Sequence, residues 1–97
     1  MTKLQKIKEI IKQDKKQLEV NYKVKKIGIF GSYIRGKSNS KSDLDILVEF
    51  TEPIGLFKFM DLEEHLQEKL QVKIDLVSKK ALRPYIGKYI LKEVEYI

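Results

Sequence analysis

The chain has 97 residues, 42% hydrophobic and 35% charged, with five tyrosines, four phenylalanines and no cysteine. That length allows one domain, residues 1–97, with a single modest core, and its apolar content excludes a chain disordered throughout. The missing cysteines exclude a disulfide framework and a thiolate metal site, so packing must hold the fold. The net charge of +6 lies wholly within residues 1–26, which carry nine lysines against Glu9, Asp14 and Glu19. Lysines at positions 3, 6, 12, 15 and 16 read as the solvated face of a helix, with a functional anion-facing surface as the alternative.

Thr2 and Gln5 have the spacing of a capping box, and Leu4, Ile7, Ile10, Ile11 and Leu18 form one stripe. Together they predict an amphipathic helix to about Glu19. Residues 21–23 break the period, and Val24–Phe30, β-branched at 24, 27 and 29, predicts a strand that ends in Gly31-Ser32. The uncharged run 27–34 is too short to cross a bilayer, and the charged N-terminus is unlike a secretory signal, so a cytoplasmic protein without membrane contact is expected. Residues 33–36 suit a helical turn and the polar run 37–42 a loop.

Residues 43–50 predict a second strand. Its period of two sets Leu44, Ile46, Val48 and Phe50 on one face, with Asp43, Asp45, Leu47 and Glu49 on the other. After Pro53 and Gly55, helical spacing of Leu56, Phe59, Met60, Glu63, Leu66 and Leu70 predicts a second helix covering the apolar face. A third strand is expected over residues 72–77, with Asp75 as its only acid, and Pro84 opens a last helix to about Glu93. Tyr96-Ile97 reads as an edge strand. The fold class is therefore α/β (α+β), a small mixed sheet with helices packed on one face.

Two carboxylates one residue apart on a strand point the same way, so Asp43 and Asp45 can converge on a hard cation such as Mg²⁺. Twelve residues upstream, Gly31 lets the backbone approach a ligand and Ser32 adds a hydroxyl at a helix start, a combination suited to phosphate. The two halves suit a metal-bound nucleoside triphosphate. Asp75 lies opposite the apolar residues of its strand, and three carboxylates on adjacent strands can hold two metal ions, one at an attacking hydroxyl and one at a leaving pyrophosphate.

The run Gly31-Ser32, ten residues, Asp43-x-Asp45 resembles the signature of the DNA polymerase beta-like nucleotidyltransferase superfamily. Phe30, Arg35-Gly36, Ser42, Ile46-Leu47-Val48 and Ile74-Asp75-Leu76-Val77 extend the likeness to the stand-alone minimal nucleotidyltransferase (MNT) group, from about residue 24 to 97. The resemblance implies that Gly31 and Ser32 engage the triphosphate, that Asp43 and Asp45 bind divalent ions and that Asp75 completes the metal site. Arg35 matches a frequent basic position and is expected either to neutralise phosphate or to form a surface salt bridge. The resemblance further implies two Mg²⁺ ions, ATP as donor, and an antitoxin that adenylylates a co-encoded HEPN ribonuclease toxin within a hetero-oligomer. The short chain leaves no second domain for a nucleic-acid template, so a protein hydroxyl is the expected acceptor and nucleic acid is not expected as direct substrate. The alternative is an antitoxin that neutralises by contact alone. His65, the only histidine, is expected on a solvated helix surface, and Tyr85, Tyr89 and Tyr96 in packing, either in the core or against a partner.

Overall fold

The computed structural model describes residues 1–39 and 41–97. Helix α1 (Lys3–Tyr22) opens on the expected capping box: the Gln5 amide donates to the Thr2 hydroxyl at 3.1 Å, and the Thr2 amide to the Gln5 side chain at 2.8 Å. It runs three residues beyond the expected end. Lys23 closes it in a left-handed conformation (φ 61°), donating to the Glu19 and Leu18 carbonyls, without the glycine that usually marks such a stop.

Strand β1 (Val24–Phe30) follows as read, then a single helical turn, α2 (Ser32–Arg35), which starts and ends one residue earlier than expected. Strand β2 (Leu44–Phe50), helix α3 (Leu56–Leu70), strand β3 (Ile74–Ser78), a 3-10 turn at Lys79–Ala81, helix α4 (Pro84–Glu93) and strand β4 (Glu95–Tyr96) complete the chain. Strand β3 begins two residues late because Gln71 ends α3 in a left-handed conformation (φ 55°) and residues 72–73 are needed to leave the helix.

The sheet has the order β3-β2-β1-β4. Strand β1 runs antiparallel to β2 and to β4, whereas β2 and β3 are parallel and are joined by the crossover helix α3. This is the mixed sheet with helices that the sequence predicts. One face carries the core: Ile7, Ile11 and Leu18 of α1 and Leu62, Leu66 and Leu70 of α3 pack with Ile27, Ile29, Leu44, Ile46, Val48, Ile74 and Leu76 of the strands.

Two expectations about that core are corrected. Helix α3 turns Leu62, Leu66 and Leu70 inward, leaving Leu56 and Met60 exposed, so the stripe drawn through 56 and 60 is off by part of a turn. His65 is not on a solvated surface. It shares a 2.6 Å hydrogen bond with Asp14, whose side chain is 7% exposed, and its ring lies 5.4 Å from that of Tyr22. Asp14 falls between Ile11 and Leu18 on the buried face of α1, and a buried carboxylate is tolerated there because it is paired. Leu47, assigned by alternation to the carboxylate face, is itself buried. Among the described residues no helix is long and apolar enough to cross a membrane.

Candidate active site

Strand register builds one row across the sheet. Phe30 of β1 stands opposite Asp45 of β2, and Asp45 is in register with Asp75 of β3. Residues paired in this way share a face, so Asp45 and Asp75 emerge side by side on the side opposite the core residues Leu44, Ile46, Ile74 and Leu76. Asp43 lies one residue before β2, where the Leu44 amide donates to the Lys73 carbonyl at 2.8 Å. Just before Asp43, the Asn39 amide donates to the Ser42 hydroxyl at 2.9 Å.

Gly31 joins β1 to α2 with φ 80° and ψ −154°, a region open essentially to glycine alone. A Cβ there would run into the Asp45 carboxylate, 2.8 Å from its Cγ. The turn and the acid are thus packed against each other with no room for a side chain between them. The Ile34 and Arg35 amides donate to the Gly31 carbonyl at 3.0 and 3.1 Å and set Ser32 at the head of the turn.

A residue that sequence reasoning missed completes this arrangement. The Gly31 amide donates to Oε2 of Glu93 at 2.9 Å, and Nη1 of Arg35 donates to its Oε1 at 2.7 Å. Of the two expectations for Arg35, an ion pair is therefore present. Glu93 ends α4, some sixty residues away, and no local pattern links it to the turn.

The carboxyl of Asp45 is pushed up to about 6, first by burial, then by the charge of Asp75, a hydrogen bond with its carboxyl, and the charge of Asp43; Arg35 opposes this. Burial also acts to raise Glu93, but the Gly31 amide and Arg35 outweigh it and hold this carboxyl below its ordinary value. Among the described residues, no three His, Cys, Asp or Glu side chains are gathered closely enough to hold a metal ion together. The close pair is Asp45 with Asp75. This half-buried carboxyl beside a second acid fits a site for a hard cation, since positive charge would offset both the burial and the repulsion that raise Asp45.

A cleft of about 480 Å³ takes in Gly31, Asp45, Arg35 and Glu93, with Tyr85, Ile86 and Tyr89 of α4 along one wall. These three side chains are exposed, and the two tyrosine rings meet edge to face at 5.7 Å, so of the two kinds of packing expected for Tyr85 and Tyr89, in the core or against a partner, the core is excluded. Tyr96 is also half exposed, with Lys26 Nζ 5.4 Å from its ring centre. A second hollow of about 560 Å³ lies between the ends of β2 and β3 and the start of α3, lined by Phe50, Leu56, Phe59 and Lys79, and includes none of the motif residues.

A strand leading into Gly-Ser, with paired acids on the next two strands across the sheet, defines a nucleotidyltransferase core. The description of the nucleotidyltransferase domain family matches residues 4–97, and the chain belongs to that family, within its minimal nucleotidyltransferase group. It is 44% identical to protein adenylyltransferase MntA of Thermococcus cleftensis over 100% of this chain and 98% of the relative. A solved structure described as a minimal nucleotidyltransferase, on provisional grounds, superposes with a TM-score of 0.74 at 28% identity, over 93% of this chain and 87% of the other. The same fold recurs in a toxin-antitoxin crystal structure with AMP-PNP (TM-score 0.74, 24% identity, 88% and 69% covered). It recurs too in a tri-AMPylated Shewanella oneidensis HEPN toxin in complex with MNT antitoxin (TM-score 0.68, 20% identity, 98% and 71% covered). The protein is a nucleotidyltransferase.

Proposed function

We propose that the chain is a single-domain, Mg²⁺-dependent adenylyltransferase that moves AMP from ATP to a hydroxyl of a HEPN toxin and thereby acts as its antitoxin. The observation that carries this reading is the pairing of Asp45 with Asp75 beside the Gly31 turn, which sets metal-seeking acids next to a close backbone approach for phosphate at a cleft lined by Gly31 and Asp45. Asp45 and Asp75, the close pair, would hold Mg²⁺ with Asp43, whose charge also reaches Asp45, drawn in as the third ligand of a two-ion site. When bound, the ions supply positive charge at the attacking oxygen and the departing pyrophosphate.

The chain's own residues do the rest. Gly31 admits the triphosphate close to the backbone, and the Ser32 hydroxyl donates to a phosphate oxygen. Arg35 has five N–H donors, so its bond to Glu93 leaves others to donate to phosphate oxygens. Asp75, exposed beside Asp45, is assigned the position nearest the acceptor hydroxyl, whose proton it takes as that oxygen bonds to the α-phosphorus and the bond to the β-phosphate oxygen breaks. Pyrophosphate leaves, and the acceptor carries AMP.

The name of the Thermococcus relative supports a protein acceptor, and the similar folds solved with a HEPN toxin support the class of partner and a hetero-oligomer. The test is transfer of the α-phosphate label of ATP to a HEPN toxin in the presence of Mg²⁺. An Asp43→Asn, Asp45→Asn double variant should transfer nothing and fail to neutralise. A double variant that still neutralised would point instead to inhibition by contact.

A further inference from the structure

We propose that Glu93 is a positioning residue for the nucleotide: its one carboxylate clamps both ends of the α2 turn, fixing the Gly31 backbone and the Arg35 guanidinium in the cleft. The inference rests on the assignment of that cleft to the triphosphate and goes beyond it by naming what holds the turn.

Three observations lead there. The turn needs an outside hold, because α2 has only four residues, too few to be stable alone, and starts from a backbone conformation few residues adopt. Glu93 supplies that hold at two points, with Oε2 accepting from the Gly31 amide at 2.9 Å before the turn and Oε1 from Arg35 at 2.7 Å at its last residue. The hold is itself anchored. Glu93 ends α4 one residue before β4, whose Glu95 and Tyr96 pair with Ile29 and Gly28 of β1, and the Ile97 amide donates to the Ile27 carbonyl at 2.9 Å.

A carboxylate in a triphosphate cleft would otherwise repel its ligand. Here its charge is matched by a guanidinium and an amide, and Glu93 is only 22% exposed. It therefore acts on the nucleotide through Gly31 and Arg35. Isolated structural surface pairs behave differently, since breaking them changes little beyond stability.

The test uses the full chain and measures the equilibrium affinity for Mg²⁺–AMP-PNP, KM and kcat with Mg²⁺–ATP, and thermal unfolding. Glu93→Gln keeps an acceptor for Gly31 but no charge for Arg35, and Glu93→Ala removes both. Nucleotide affinity should fall in that order, by about tenfold for Glu93→Gln, and KM should rise while kcat changes by no more than about threefold. In an Arg35→Ala background, Glu93→Gln should weaken binding by no more than about a further twofold. Glu93→Gln that lowers the unfolding temperature with affinity and KM unchanged overturns the proposal, as does full additivity with Arg35→Ala. Should the native chain bind no nucleotide, the assignment of the cleft itself falls, a result distinct from either.

Discussion

Replacing Gly31 by alanine tests the contact between the turn and the acid row. Two terms add. The backbone at φ 80° and ψ −154° is one that alanine adopts at a cost of about 1–3 kcal/mol. The new methyl group meets the Asp45 carboxylate, 2.8 Å from Cγ, and Asp45 is held between Phe30 and Asp75, so making room adds an overpacking cost of about 1–3 kcal/mol. A total of about 4 kcal/mol lowers the unfolding temperature by roughly 16–32 °C in a domain of this size. Gly36→Ala is the control. Gly36 also has a positive φ (71°), but a Cβ there meets nothing within 4 Å, so only about 1–2 kcal/mol of backbone strain remains. Turnover separates the two further, because displacing Asp45 by about 1 Å is enough to cost roughly 100-fold. The assays are thermal unfolding by circular dichroism and single-turnover transfer from α-phosphate-labelled ATP. A Gly31→Ala protein as stable as Gly36→Ala and as active as the native chain would refute the packing argument.

Further outcomes follow from the same geometry. Asp45, raised from 3.8 to about 6, binds its proton more tightly folded than unfolded, so without divalent ions its contribution to stability is full below about pH 4 and is lost as pH rises through 6. Asp45→Asn should therefore be inactive yet unfold at a higher temperature than the native chain at pH 7 in EDTA, with a flatter pH profile; identical profiles would contradict the raised Asp45 carboxyl. Mg²⁺ should raise the unfolding temperature of the native chain and leave that of Asp45→Asn unmoved, as calorimetry can read. Asp14→Ala strips His65 of its 2.6 Å partner and should cost about 1–3 kcal/mol in denaturant unfolding without changing the KM for ATP. Leu62→Ala should cost about 2–5 kcal/mol and Met60→Ala under ~0.5 kcal/mol, and similar losses would show the α3 face to be misplaced.

Elements bounded by strong local signals were legible in the sequence. Strand β1 ends where Gly31 forces the chain to turn, and α4 begins where Pro84 can only start a helix. The two-residue period of β2 and β3 put Asp45 and Asp75 on one face before their register was known, and parallel pairing then made them neighbours. Helix ends closed by Lys23 and Gln71 in left-handed conformations were not legible, because neither side chain advertises that backbone. The face of α3 was misread because Leu56, Met60 and Leu62 permit two overlapping stripes, and only contact with α1 chooses between them. Glu93 with Gly31, and Asp14 with His65, join residues 62 and 51 positions apart. Pairings at that range leave no trace in local periodicity, so each looked like an ordinary charged residue on a helix.

The most direct test of the account is to incubate the chain with Mg²⁺, α-phosphate-labelled ATP and a HEPN toxin, then weigh the toxin by intact-protein mass spectrometry. A toxin heavier by one or more AMP units, labelled from the α- but not the γ-phosphate, and unmodified when Asp43 and Asp45 are both asparagine, is the predicted result. A native chain that neutralises the toxin while leaving its mass unchanged would contradict it.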